Sequence, residues 1–179
     1  MKRQKLLQSL KSYNPSDYKE QKYKKEIISF VEKHSDCFER TLLIGHITAS
    51  AWLLNKDETK ALMLHHTKLD RWFQLGGHCD GDSDTLAVSI KEAQEESGIN
   101  SIEALSKEIF DIDVHLIPAR PNEPEHYHYD IRYLLKVTSD EKVIQNRESK
   151  ALRWISKNPK DLPTEEISVT RMFYKWINL

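Results

Sequence analysis

The chain has 179 residues, with 27 basic and 28 acidic side chains and a formal net charge of −1, a length that suits one domain with a sizeable core. A balance this close to neutral carries no electrostatic footprint for nucleic acid and excludes a nonspecific nucleic-acid binder. Two cysteines, Cys37 and Cys79, make no disulfide framework and point to a reducing, cytoplasmic setting; no membrane attachment is expected, since the longest apolar stretch, Thr41 to Leu54, is broken by His46 and Ser50.

From the N-terminus, residues up to about Arg40 read as helix, with a break at Asn14-Pro15 and an apolar stripe of Tyr23, Ile27, Phe30 and Val31. Residues 1–40 are therefore taken as an N-terminal helical extension and residues 41–179 as the main domain. Packing against that domain is the extension's expected role; a substrate lid or a homodimer contact is the sharper alternative. His46–Leu54 and Lys60–His66 read as strands joined by the turn Asn55-Lys56-Asp57-Glu58. Trp72-Phe73-Gln74-Leu75 reads as a short strand that delivers Gly76-Gly77 to a turn. A helix follows, capped by Ser83 or Asp84, with Leu86, Ile90 and Ala93 as its buried stripe and Gly98 as its left-handed end. A strand is predicted near Lys107–Ile117, then a loop over Pro118–Pro124 that forms a rim of the site. Strands from His126 to Val137 and from Ala151 to Ile155 and a helix over Thr164–Ile177 complete the chain.

The helix after the glycines carries the main chemical signal. Glu92, Glu95 and Glu96 project from one face near its C-terminal end. Like charges at this spacing destabilise an isolated helix by roughly 0.2–0.5 kcal/mol per pair, and the helix dipole disfavours them there as well. A solvated acidic face is the bland reading. Strand, glycine turn, helix and carboxylate cluster in that order favour a cation, since magnesium takes a few carboxylates together with substrate phosphates.

This segment resembles the Nudix box. Gly77, Glu92, Glu95, Glu96, Gly98 and Ile99 fall on its pattern with the spacing intact, while Ser83 stands for its first Glu, Lys91 for its Arg and Ala93 for a larger aliphatic residue. The resemblance implies an α/β fold, an α/β/α sandwich with a mixed β-sheet. It also implies hydrolysis of a diphosphate linkage in a small, nucleoside diphosphate-linked substrate, with Mg2+ or Mn2+ as cofactor. By position, Glu92 and Glu96 fall on the main metal ligands, Glu95 on a ligand or catalytic carboxylate, and the Gly77 carbonyl on a further ligand. Lys91 replaces the planar fork of an Arg by a point charge. Ser83 removes a supporting carboxylate, for which Asp80, Asp82 and Asp84 are candidate substitutes.

The histidines form a second constellation. His126, His128 and Asp130 alternate with Tyr127, Tyr129 and Ile131, so on a strand they share a face. Imidazole is the commonest neutral metal ligand, although a lone histidine is more often structural. The segment Gly45–Leu53 is similar to the strand of the isopentenyl-diphosphate isomerase family that supplies a metal-binding His, and Gly77-His78 resembles its Gly-His turn. That likeness implies a second, transition-metal ion at His46, His78, His126 and His128. It also raises a rival function, isomerisation by a cysteine and a glutamate, for which Cys79 is misplaced. A Nudix domain that only senses a nucleotide is a further alternative.

Glu148, ahead of Arg153-Trp154-Ile155, resembles the loop Glu that many Nudix proteins use as a general base. Trp72, Tyr127, Tyr129 and Trp154 are candidates to stack a base or sugar. Lys68, Arg71, Arg120 and Arg132 are candidates for phosphate contacts.

Overall fold

A computed structural model describes residues 2–121, 123–147 and 149–179. In chain order its elements are α1 (Lys2–Ser12), α2 (Tyr18–Lys33), β1 (Gly45–Leu54), β2 (Lys60–His66), β3 (Trp72–Phe73), β4 (Leu75–His78), α3 (Thr85–Ser97), β5 (Ile102–Ala104), β6 (Asp111–Ile117), β7 (His126–Val137), β8 (Ser149–Ser156) and α4 (Ile167–Ile177). The first helix stops before Asn14-Pro15, and Asp17 then starts α2 by accepting a hydrogen bond from the Glu20 amide.

All eight strands belong to one mixed sheet. Strands β1 and β7 run parallel through its middle, paired from Gly45↔Tyr127 to Leu54↔Lys136. Both β6 and β5 pair directly with β7 and antiparallel to it, β6 along His126–Arg132 and β5 along Leu135–Val137. Outside β1 lies β4, paired over Thr48–Ala51, with β2 joining at Leu54↔Ala61. Strand β2 also pairs with β3 and, along its length, with β8. The chain therefore passes from one partner to another at Gln74, between β3 and β4.

Alternation along β1 and β7 sorts their side chains onto two faces. Ile47, Ala49, Ala51 and Leu53 of β1 and Ile131, Tyr133, Leu135 and Val137 of β7 share a core with Leu10, Ile27 and Val31 of the N-terminal helices and Val88 and Ala93 of α3. On the opposite face, Trp52 and Leu54 join Ala61, Met63 and Ile155 beneath Val169, Met172, Phe173 and Trp176 of α4. Helices thus cover both faces of the mixed sheet. The earlier residues of β1 on the second face are His46, Thr48 and Ser50, so that face is polar at one end and apolar at the other.

Several predicted boundaries shift: the helix expected to about Arg40 ends at Lys33, and the strand expected over Ala151–Ile155 spans Ser149–Ser156. The strand expected from Lys107 begins at Asp111, because the Phe110 carbonyl is taken by the Tyr13 hydroxyl and the Lys175 ammonium. The last helix begins at Ile167 rather than Thr164. No helix among the described residues is long and apolar enough to cross a membrane.

Candidate functional site

The glycines of β4 are demanded by close approach. A Cβ on Gly76 (φ +154°) would lie 2.3 Å from the Ser50 hydroxyl, and one on Gly77 would lie 2.4 Å from Glu92 Oε2. A side-chain-free strand therefore lets the Glu92 carboxylate rest on its backbone. Glu96, only 6% exposed, accepts a hydrogen bond of 2.8 Å from the Gly76 amide through Oε2. The helix holds this register by its ends: Asp84 accepts from the Ala87 amide, and Gly98, at φ +73°, donates its N–H to the Gln94 carbonyl. Of the two predicted caps it is Asp84 that serves.

The three glutamates differ in setting. The Glu92 side chain is 17% exposed and that of Glu95 57%, and Lys91 Nζ stands 3.9 Å from Glu92 and 3.6 Å from Glu95. Lys91 thus occupies the bridging position with a point charge. Oxygen-only donors packed against a glycine strand fit a hard divalent cation. The expected substitutes for the carboxylate missing at Ser83 are engaged elsewhere. Asp80 pairs with Arg40 at 2.5 Å, Asp82 accepts from the Asp84 amide, and Asp84 pairs with Lys5 at 2.6 Å.

The second face of the sheet brings the histidines together. The register sets His46 beside His128, Thr48 beside both His78 and Asp130, and His115 beside His128. Ring centroids of His46 lie 5.0 Å from His78, 4.9 Å from His128 and 5.0 Å from His126. All four predicted histidines therefore meet. His46 is 2% exposed, and neither of its ring nitrogens has a hydrogen-bond partner; each unmet buried polar atom costs about 1–3 kcal/mol. Burial, with the neighbouring rings of His78 and His126, pushes the His46 imidazole down to about 4. Burial lowers His78 and His128 too, so all three favour the neutral, lone-pair-bearing form.

Further along this face the predicted phosphate ligand Arg132 is corrected. It is 1% exposed, its Nε donates to Asp130 at 2.7 Å, and its NH1 group donates to Asp111 at 3.1 Å. Asp130 also accepts from Thr48 and Ser50, and Arg171 of α4 reaches Asp111 and Asp113. Arg132 is thus the cation of a buried network and cannot reach a substrate. Asp111 and Asp113 were missed by the sequence reading, although Asp111, Asp113 and His115 show the same alternation that grouped His126, His128 and Asp130.

The remaining candidates are scattered. Arg71 is exposed and paired with Glu166, and Arg120 lies 3.9 Å from Glu123. Trp154 is half-buried against the larger core, and Trp72 stacks on His65 with centroids 4.9 Å apart. The predicted base Glu148 lies outside the described residues. Cys79 is buried, and burial pushes its thiol well up, which disfavours a thiol-based proton transfer.

The model of the NUDIX domain matches residues 45–177. No match is found among curated proteins. Among solved structures, a NUDIX-family hydrolase from Clostridium perfringens is 28% identical, with a TM-score of 0.54, covering 73% of this chain and 95% of that one. An Ap4A hydrolase of C. elegans is similar at 16% identity, TM-score 0.57, covering 73% and 93%. An ADP-ribose pyrophosphatase from Streptococcus suis is similar at 19% identity, TM-score 0.52, covering 74% and 89%.

Proposed function

Given that the chain belongs to the NUDIX domain family of pyrophosphohydrolases, we propose that it hydrolyses a diphosphate linkage in a small nucleoside diphosphate-linked substrate, with Mg2+ or Mn2+ held by Glu92, Glu96, Glu95 and the Gly77 carbonyl. The observation that carries this reading is the seating of Glu92 on Gly77 and of Glu96 on the Gly76 amide. When bound there, such an ion neutralises phosphate oxygens and lowers the pKa of a bound water. Glu92 and Glu96 supply charge from fixed positions. Glu95, more exposed and held loosely by Lys91, is the carboxylate best placed to accept the proton of an attacking water. Glu148 stays in the proposal as a second candidate base. The similar Ap4A hydrolase and ADP-ribose pyrophosphatase support a nucleotide as the leaving portion. The free, buried thiols of Cys37 and Cys79 fit a cytoplasmic setting.

The test is a panel of dinucleoside polyphosphates, nucleoside diphosphate sugars and nucleoside triphosphates, assayed with Mg2+ and with Mn2+. Turnover is expected for at least one class and is lost in Glu92→Gln and Glu96→Gln. Turnover that survives both substitutions would reject the site. Isopentenyl diphosphate in the same panel separates hydrolysis from isomerisation, which buried Cys79 disfavours. Nucleotide binding without turnover would select the sensor reading. The histidine cluster offers nitrogen donors of a different class, which diphosphate hydrolysis at the glutamates does not require.

A further inference from the structure

We propose that His46, His78 and His128, joined by His126, form a binding site for one divalent transition-metal ion, on the opposite face of the sheet from the glutamates. One ligand atom from each of the first three lies within 4.8 Å of the other two. They come from β1, β4 and β7, three strands whose pairing fixes the rings relative to one another.

One observation independent of that proximity points to a cation, and a second is compatible with one. The first is His46, buried with both ring nitrogens unpartnered. A neutral imidazole has one donor and one acceptor to satisfy; the Leu42 backbone approaches this ring without a well-formed hydrogen bond, and the other groups facing it are His78, His126 and His128. The second is the His126–His128 contact. His126 Nδ1 lies 2.8 Å from the Pro124 carbonyl, which can only accept, so Nδ1 carries the proton and Nε2 presents a lone pair. That Nε2 lies 3.2 Å from Nε2 of His128. His128 Nε2 either donates its proton across this contact or, in the other tautomer, presents a second lone pair that a shared cation would bridge. Ligands of a tetrahedral zinc-class ion with bonds of about 2.0–2.1 Å stand roughly 3.3–3.4 Å apart, so this pair is already at the spacing of neighbours on one ion.

The donor set names the class of metal. Neutral imidazoles suit Zn2+, Co2+, Ni2+ or Fe2+, whereas Mg2+ prefers carboxylate and water oxygens. Successive residues of a strand point to opposite faces, so Gly77 faces Glu92 while His78 faces the other histidines, and the two sites share β4 without sharing a side chain. His115, whose Nδ1 is 3.1 Å from Asp113, packs edge-on against His128 and steadies its ring. Glu123 lies at the rim, 3.7 Å from His126 Nε2.

The experiment uses the full chain without a histidine tag, stripped of metal and titrated with Co2+ at neutral pH. One equivalent is expected to bind, with ligand-field absorption bands of a low-coordinate, nitrogen-ligated ion, and Zn2+ is expected to displace it. His46→Ala and His128→Ala should each weaken Co2+ binding on the order of 100-fold or more, with His78→Gln as a milder variant should the alanine proteins fail to fold. Glu92→Gln should leave the Co2+ spectrum unchanged while losing hydrolysis, so failure of this proposal and failure of the hydrolase reading are separate results. Absence of stoichiometric Co2+ binding by the wild-type protein would overturn the site, as would a spectrum unaltered by His46→Ala or His78→Gln.

Discussion

Glu96 is a buried carboxylate whose oxygen is held by the Gly76 amide, and a glutamine there keeps an acceptor while removing the charge. Glu96→Gln is therefore expected to keep its melting temperature within a few degrees and to lose kcat on the order of 100-fold, the scale on which a preorganised charge acts. A fall in Tm that tracks the fall in kcat would mean that the residue is structural only. His46 carries a prediction of a different kind. Its folded pKa is depressed to about 4 from an ordinary 6.5, so between these values the unfolded chain binds more protons than the folded one. Stability of the metal-free protein is then level above about pH 6.5 and falls as the pH drops toward 4, by on the order of 3 kcal/mol for this histidine. Urea unfolding from pH 7.5 to 4.5 measures it, and an unchanged midpoint over that range would show that the ring is not held neutral. At this scale the sequence was legible where the signal is local. The glutamate cluster follows from spacing within one helix, whereas the role of Arg132 depends on which residues β6 and β7 bring opposite one another.

At the scale of elements, β4 and β6 show how short strands carry large consequences. Gly77→Ala would place a methyl group 2.4 Å from Glu92 Oε2, and the carboxylate, at the far end of a flexible side chain, would swing off the strand. We expect a loss of activity on the order of 10- to 100-fold from the displaced carboxylate, seen in kcat at saturating metal; wild-type kcat would show that Glu92 need not rest on this strand. On β6, burial alone would raise the Asp111 carboxyl, but the Arg171 hydrogen bonds and the charges of Arg132 and Lys175 hold it low. Asp111→Ala would leave these cations buried without their shared partner and should cost about 3–5 kcal/mol. A cost below about 1 kcal/mol in chemical denaturation would show that Asp113 and Asp130 suffice to balance the cluster. The sequence concealed this network for a physical reason. Alternation reveals which residues share a face of one strand, but the antiparallel register Asp111↔Arg132 and Asp113↔Asp130 is set by long-range pairing.

Over the whole molecule the N-terminal helices are part of the core. Leu6, Leu7, Leu10, Ile27, Phe30 and Val31 are buried with the apolar face of β1, β6 and β7, and Phe30 stacks on Tyr129 with centroids 4.0 Å apart. Glu20 of α2 is fully buried and takes hydrogen bonds from Tyr13, from the Ile112 amide on β6 and from Lys175 of α4 at 2.6 Å. The extension thereby ties together strands and a helix that lie far from it in sequence. This arrangement favours packing over a mobile lid, because a lid must leave the domain at a cost comparable to thermal energy, whereas fully burying a single large apolar side chain is worth about 1.5–3 kcal/mol. Removing residues 1–40 would expose that apolar surface and take Glu20 and Tyr13 away from Lys175, leaving it Asp111 as its carboxylate partner. The expected outcome is a chain that is largely insoluble or lacks a cooperative thermal transition, checked by circular dichroism of protein refolded at low concentration. A truncated protein that melts cooperatively near the wild-type temperature, with only KM altered, would instead make the extension a substrate-binding appendage.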